Sequence, residues 1–92
     1  MVRFEWDFEK ELANVAKHNV NFRTASKVFL DPNRRVFVDE KHSKNEVRYY
    51  CIGKVNDQIL TVRFSYREGR IRIFGAGYWR KGKAYYEKEK KG

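Results

Sequence analysis

Hydrophobic positions along this chain change period near residue 34, dividing it into a helical front and a stranded back. Phe8, Leu12, Val15 and Ala16 recur at i, i+4, i+7 and i+8, one stripe of a helix that should turn toward a core. Asp7 stands before it as an N-cap and Asn19 after it as a left-handed stop, so the helix runs to about Lys17 or His18. The preceding FEW, Phe4–Trp6, reads as a short strand. Asn21 caps a second short helix with Phe22, Ala25, Val28 and Phe29 on its apolar side. Asp31-Pro32-Asn33 ends it, because a proline pushes the residues before it out of helix.

Beyond Arg34 the period is two. Val36 and Val38 alternate with Phe37 in one strand, and the polar stretch 39–45 reads as a loop. Val47–Val55 predicts a long strand, with Val47, Tyr49, Cys51 and Val55 on one face and Arg48, Tyr50, Ile52 and Lys54 on the other. Asn56-Asp57 has the chemistry of a two-residue hairpin turn, and Ile59–Tyr66 is the return strand. Arg67-Glu68-Gly69 turns again into Arg70–Phe74, and Gly75-Ala76-Gly77 is expected to break that strand. Tyr78 to about Lys90 predicts a basic helix. The order β-α-α-β-β-β-β-α describes a single α+β domain over residues 1–92, with a mostly antiparallel sheet covered by the two N-terminal helices.

Charge changes the picture in the last third. From Arg63 to Lys91, ten Lys or Arg face three Glu, a local net of +7 out of +9 for the chain. Tyr66, Tyr78, Trp79, Tyr85 and Tyr86 are interleaved with these cations. Cations displace phosphate counterions and rings stack on exposed bases, so the stretch suits RNA or single-stranded nucleic acid. No apolar run approaches the roughly 18–20 residues of a membrane span. The start, MVRFEWDFEK, lacks the apolar region of a secretory signal. The single Cys51 forms no intramolecular disulfide and reads as a small buried hydrophobe, and the expected location is the cytoplasm.

The two histidines, His18 and His42, lie on different segments and no metal-binding spacing is present, so neither a metal nor another cofactor is expected. The remaining chemistry is phosphoryl transfer on RNA, which carries its own nucleophile, the ribose 2′-OH. It needs a base, cations around the phosphate, and an acid for the leaving oxygen. The candidates are Lys17, His18, His42, Glu46, Arg48, Arg67 and Arg72, with Arg63, Tyr66, Arg70, Tyr78, Trp79, Arg80 and Lys81 as RNA-binding surface. The base stays open among Lys17, His18, His42 and Glu46.

Several short patterns occur together in order: FEWD with Lys10; Asn14, Lys17-His18, Val20 and Phe22; Ala25, Val28-Phe29 and Asp31-Pro32; Asp39, His42-Ser43, Glu46, Arg48-Tyr49 and Ile52-Gly53; then ILTVRFSYR, RIRIF and Tyr86-Glu87. This combination resembles the BrnT family of bacterial toxins over nearly the whole chain. The resemblance implies a RelE-like fold, metal-independent endoribonuclease activity that inhibits translation and growth, and the toxin role in a type II toxin–antitoxin pair. Its partner would be a small DNA-binding, BrnA-like antitoxin forming a hetero-oligomer with it. The chain departs from the family pattern at Gly77, where an arginine is expected. The alternative from composition alone is a non-catalytic RNA-binding or regulatory protein whose basic surface receives an acidic partner.

Overall fold

A computed structural model describes residues 2–91, with the side chains of 89–91, in the basic tail, outside the description. The elements are β1 (Arg3–Trp6), α1 (Phe8–His18), α2 (Phe22–Ser26) continued by a 3-10 turn (Lys27–Leu30), and β2 (Arg35–Val38). A 3-10 turn (Glu40–His42), β3 (Tyr49–Val55), β4 (Gln58–Arg67), β5 (Arg70–Gly77) and α3 (Arg80–Lys91) follow. The α+β order is the predicted one. The five strands form one sheet in the order β1-β5-β4-β3-β2, antiparallel except for the parallel pair β1 and β5.

Local chemistry explains the boundaries. Asp7 accepts from the amides of Glu9 and Lys10, Asn21 accepts from Thr24, and Asn19 ends α1 at φ 57°. Asn56 and Asp57 both have positive φ, as do Glu68 and Gly69, so both hairpins close through left-handed two-residue turns whose twist matches the strands.

The core lies between the sheet and α2 with its 3-10 extension. Phe22, Ala25 and Val28 are buried there against Cys51, Leu60, Val62, Phe64 and Ile73. Full burial of one such large apolar side chain contributes about 1.5–3 kcal/mol. The opposite face of the sheet is half covered by α3, where Tyr86 packs on Ile52 and Ile59. The Tyr86 hydroxyl donates to Asp31 Oδ2 at 2.6 Å, tying this helix to the turn after α2. No helix is long and apolar enough to cross a membrane, among the described residues.

Three expectations are corrected. The apolar stripe of α1 faces outward: Phe8, Leu12 and Val15 are 65%, 50% and 39% exposed. What α1 turns inward is polar. Glu11 accepts from the amide of Phe22 at 2.9 Å, and buried Asn14 bonds to Val20 and Ala76. The stripe assumed a helix lying on the core, whereas α2 already fills that place. Second, β5 continues through Gly75-Ala76-Gly77 to pair with β4, so these glycines do not break it. Third, β3 begins at Tyr49 and not at Val47, because Ser43 draws the Arg48 amide into the preceding loop at 2.8 Å.

Candidate active site

The uncovered half of the second sheet face carries the arginines. Register shifts between β4 and β5 pair Arg63 with Gly75 and Phe64 with Ile73, leaving Phe74 as the extra residue of a β-bulge. A bulge re-aims side chains, and here it places the Phe74 ring under two cations. The Arg48 guanidinium carbon lies 4.2 Å from the ring centre and Lys10 Nζ 5.5 Å from it. Arg48 therefore reaches from the loop just before β3 across β4 to β5.

Glu46 organises this end. Its Oε2 accepts from Arg67 Nη2 at 2.9 Å and lies 4.0 Å from Arg48 Nη2, while Ser65 Oγ donates to Oε1 at 3.4 Å. Arg72 stands opposite Ser65 on β5 and donates to Glu5 Oε2 at 3.0 Å. Arg70 Nε is 2.9 Å from Glu5 Oε1, an ion pair whose angle is too poor for a hydrogen bond. The Arg72 hydrogen bond, with the charges of Arg70, Arg72 and Arg67, holds the Glu5 carboxyl below its usual range despite some desolvation. Exposed pairs of this kind contribute little stability but fix where the guanidinium groups stand.

Arg63 differs from its neighbours. Among the described residues no carboxylate pairs with it, and its Nε has no hydrogen-bond partner. Its guanidinium lies over Gly75, where a Cβ would come within 2.6 Å of Nη2, so glycine lets it rest here without shifting. Gly77 serves Trp79 in the same way, since a Cβ there would meet the indole at 2.8 Å. The arginine expected at position 77 is thus replaced by a seat for an aromatic ring.

Toward α3 the same face deepens into a cleft of about 700 Å³. Its floor is Thr61 and Arg63 of β4 with Ile52 of β3. One wall is Trp79, with the His18 ring edge-on to it at 5.2 Å. The other wall is Tyr50, Phe37 and Tyr85, with Phe37 5.4 Å from Tyr50 and 4.9 Å from Tyr85. Burial raises the Tyr50 hydroxyl pKa, and the Asp39 carboxylate raises it further by charge and hydrogen bond, against the pull of Arg63. Buried Asp39 also holds His42 Nδ1 at 2.8 Å.

Of the residues singled out in the sequence, Glu46, Arg48, Arg67 and Arg72 come together around Ser65. Lys17 and His18 stand at the far end of α1, and only His18 lines the cleft. His42 lies on its own turn against Asp39. Arg63, Trp79 and Lys81 share the cleft, Arg70 stands beside Glu5, and Tyr78 and Arg80 are exposed where β5 leads into α3. Tyr66 packs on Tyr49 and Phe64, on the other face of the sheet from Arg67. The sequence reading passed over Phe74, Glu5, Thr61 and Asp39. Alternation along β4 with Arg63 and Ser65 could have found Thr61, whereas Phe74 depends on a bulge that has no local signal.

No group of three metal-ligating side chains occurs among the described residues. The arrangement is one carboxylate among several guanidinium groups on an open face, beside an aromatic cleft. It can bind a phosphodiester, take a proton and hold a base. No curated protein matches the chain. Residues 6–82, well over half of it, match the family described as the ribonuclease toxin, BrnT, of type II toxin–antitoxin systems, and the chain belongs to that family.

Proposed function

We propose that this ribonuclease toxin cleaves RNA by attack of the ribose 2′-OH, with Glu46 as the base and Arg48, Arg67 and Arg72 around the phosphate. The observation that carries this reading is the contact of Glu46 with two of the candidate arginines, Arg67 at 2.9 Å and Arg48 at 4.0 Å. Lys17, His18 and His42 make no hydrogen bond or ion pair with these arginines among the described residues. An incoming phosphate competes with Glu46 for the guanidinium groups and frees its carboxylate. Glu46 then takes the 2′-OH proton as the 2′-oxygen bonds to phosphorus. The bond to the 5′-oxygen breaks, and that oxygen gains a proton from water at this open surface. The products are a 2′,3′-cyclic phosphate and a 5′-hydroxyl. Arginines stabilise the charge of the pentavalent phosphate, the role that usually dominates such reactions.

A type II toxin has a cognate antitoxin, and a small DNA-binding, BrnA-like protein acting in the cytoplasm fits that role. The test uses toxin purified free of antitoxin, incubated with RNA in EDTA. Cleavage leaving 2′,3′-cyclic phosphate ends is expected. Removing a positioned base slows such a step by roughly 10²–10⁴-fold, so Glu46→Gln should bind RNA but cut it that much more slowly. A Glu46→Gln variant as fast as the wild type would refute the assignment.

A further inference from the structure

We infer that the cleft beside the arginine cluster is a nucleobase subsite that takes a purine, guanine in preference to adenine, next to the scissile phosphate. The placement next to that phosphate rests on the reading above, but the base binding does not.

The walls of the cleft rise from opposite sides of β4. Trp79 lies over Gly77 of β5, and Tyr50 belongs to β3. Strands two apart in a sheet are separated by about 9–10 Å, enough for one flat ring system between aromatic walls. The volume of about 700 Å³ is ample for a nucleotide. Base–aromatic stacking is tolerant of sequence, so the walls alone accept any base and favour the larger purines.

The floor makes the choice. Protein partners satisfy most polar groups near this face, but not Arg63 Nε or Thr61 Oγ1. Both atoms are closed off by the protein, Thr61 Oγ1 beneath Gly82 of α3, so they lie under the floor and not on its open side. What the floor offers a ligand is the rest of the Arg63 guanidinium, half-buried, lining the cleft and without a carboxylate among the described residues. Guanine presents two adjacent acceptors, O6 and N7, to an arginine fork, whereas adenine presents an acceptor beside a donor. Lys81 at the rim supplies charge for the attached phosphate. Arg63 is the cation of the β4–β5 hairpin left without a carboxylate among the described residues, and Gly75 leaves space for its guanidinium on this floor.

The probes are 3′-GMP, 3′-AMP, 3′-UMP and inorganic phosphate, titrated into Glu46→Gln toxin and followed by NMR at the Trp79 indole N–H and the Arg63 Nε–H. None of these probes holds a phosphodiester to cleave, so binding is readable whether or not Glu46 is the base. The expected result is 3′-GMP binding at least tenfold tighter than 3′-UMP or phosphate, with both reporter signals shifting. Arg63→Met, which keeps the aliphatic stem, should erase the preference for guanine over adenine. Trp79→Leu should weaken every nucleotide about tenfold or more while leaving phosphate unchanged. Equal affinity for all four probes, or shifts confined to Arg48 and Arg67, would overturn the inference and leave an anion site only. The wild-type spectrum carries the test even if a variant folds poorly.

Discussion

Asn14 on α1 and Ala76 on β5, 62 residues apart, exchange two hydrogen bonds: Asn14 Nδ2 donates to the Ala76 carbonyl at 3.0 Å, and the Ala76 amide donates to Asn14 Oδ1 at 3.1 Å. β1 accompanies β5 only as far as Ile73, so Ala76 would otherwise face outward with no strand beside it. The side-chain amide of Asn14 takes the place of that strand. Its Nδ2 also donates to the Val20 carbonyl at 2.9 Å.

Asn14→Ala leaves buried backbone groups without partners, and each such group costs about 1–3 kcal/mol. A loss of about 2–4 kcal/mol in chemical denaturation is expected, whereas Leu12→Gln on the same helix should stay within about 0.5 kcal/mol. This inverts the usual rule for a helix. A Leu12→Gln loss as large as that of Asn14→Ala would show the exposed stripe to be part of the core.

Phe74 holds the Arg48 guanidinium over its ring at 4.2 Å. Phe74→Leu keeps bulk and removes the π face. A cation–π contact at a partly exposed site is worth about 0.5–1 kcal/mol, so kcat/KM on RNA should fall about two- to fivefold. Arg48→Ala in the Phe74→Leu background should then cost less than in the wild type, as a double-mutant cycle would register.

Gly77→Arg restores the charge of the family pattern but drives a side chain into the Trp79 indole. Overpacking of this kind costs about 1–3 kcal/mol. Thermal denaturation should show the loss, and Trp79→Ala should recover part of it by vacating the space. A Gly77→Arg protein as stable as the wild type would mean that Trp79 is free to leave its seat.

Groups with pKa values raised by burial set the alkaline limit, Cys51 and Tyr86 foremost and Tyr50 beside them. Burial pushes the Cys51 thiol from 9.0 up to about 12, against the pull of Arg34 and with a smaller push from Asp31. Burial and the Asp31 hydrogen bond push Tyr86 from 10.0 up to about 12. Both are raised in the folded state, so their contribution is complete below the unfolded values and is lost as pH rises toward about 12. Stability should hold to about pH 9, then decline. Cys51→Ala should delay the onset toward pH 10, where Tyr86 takes over. An unchanged onset in Cys51→Ala would place the first titration elsewhere.

What was legible in the sequence was what neighbours in sequence decide. Asp7, Asn21 and Asn19 bound their helices through their own side chains or backbone, and Asn56-Asp57 turns with no help from afar. The facing of α1 was not legible, because it depends on Ala76 and on α2 having taken the core. Gly75 and Gly77 looked like a break because a glycine's meaning lies in what approaches it, here Arg63 and Trp79. At the site, Glu46, Arg48, Arg67 and Arg72 stood out by charge and residue type, but the cluster forms only because the loop before Tyr49 carries Glu46 to Arg67 and Arg48 to Phe74. The separation of His18 and His42 from it is a matter of register and of the parallel pairing of the first strand with the last.

That parallel pairing has a consequence for when the protein becomes dangerous. Glu5 holds Arg70 and Arg72, and β1 closes on β5, so the first strand has nowhere to dock until the last one exists. A nascent chain with residues 1–69 free of the ribosome lacks β5, the strand that joins β1 to β4, and with it the bulge at Phe74 and the seat of Arg63. The arginine face is assembled only once β5 has emerged, so the chain passes through a stage of its own synthesis in which that face does not exist.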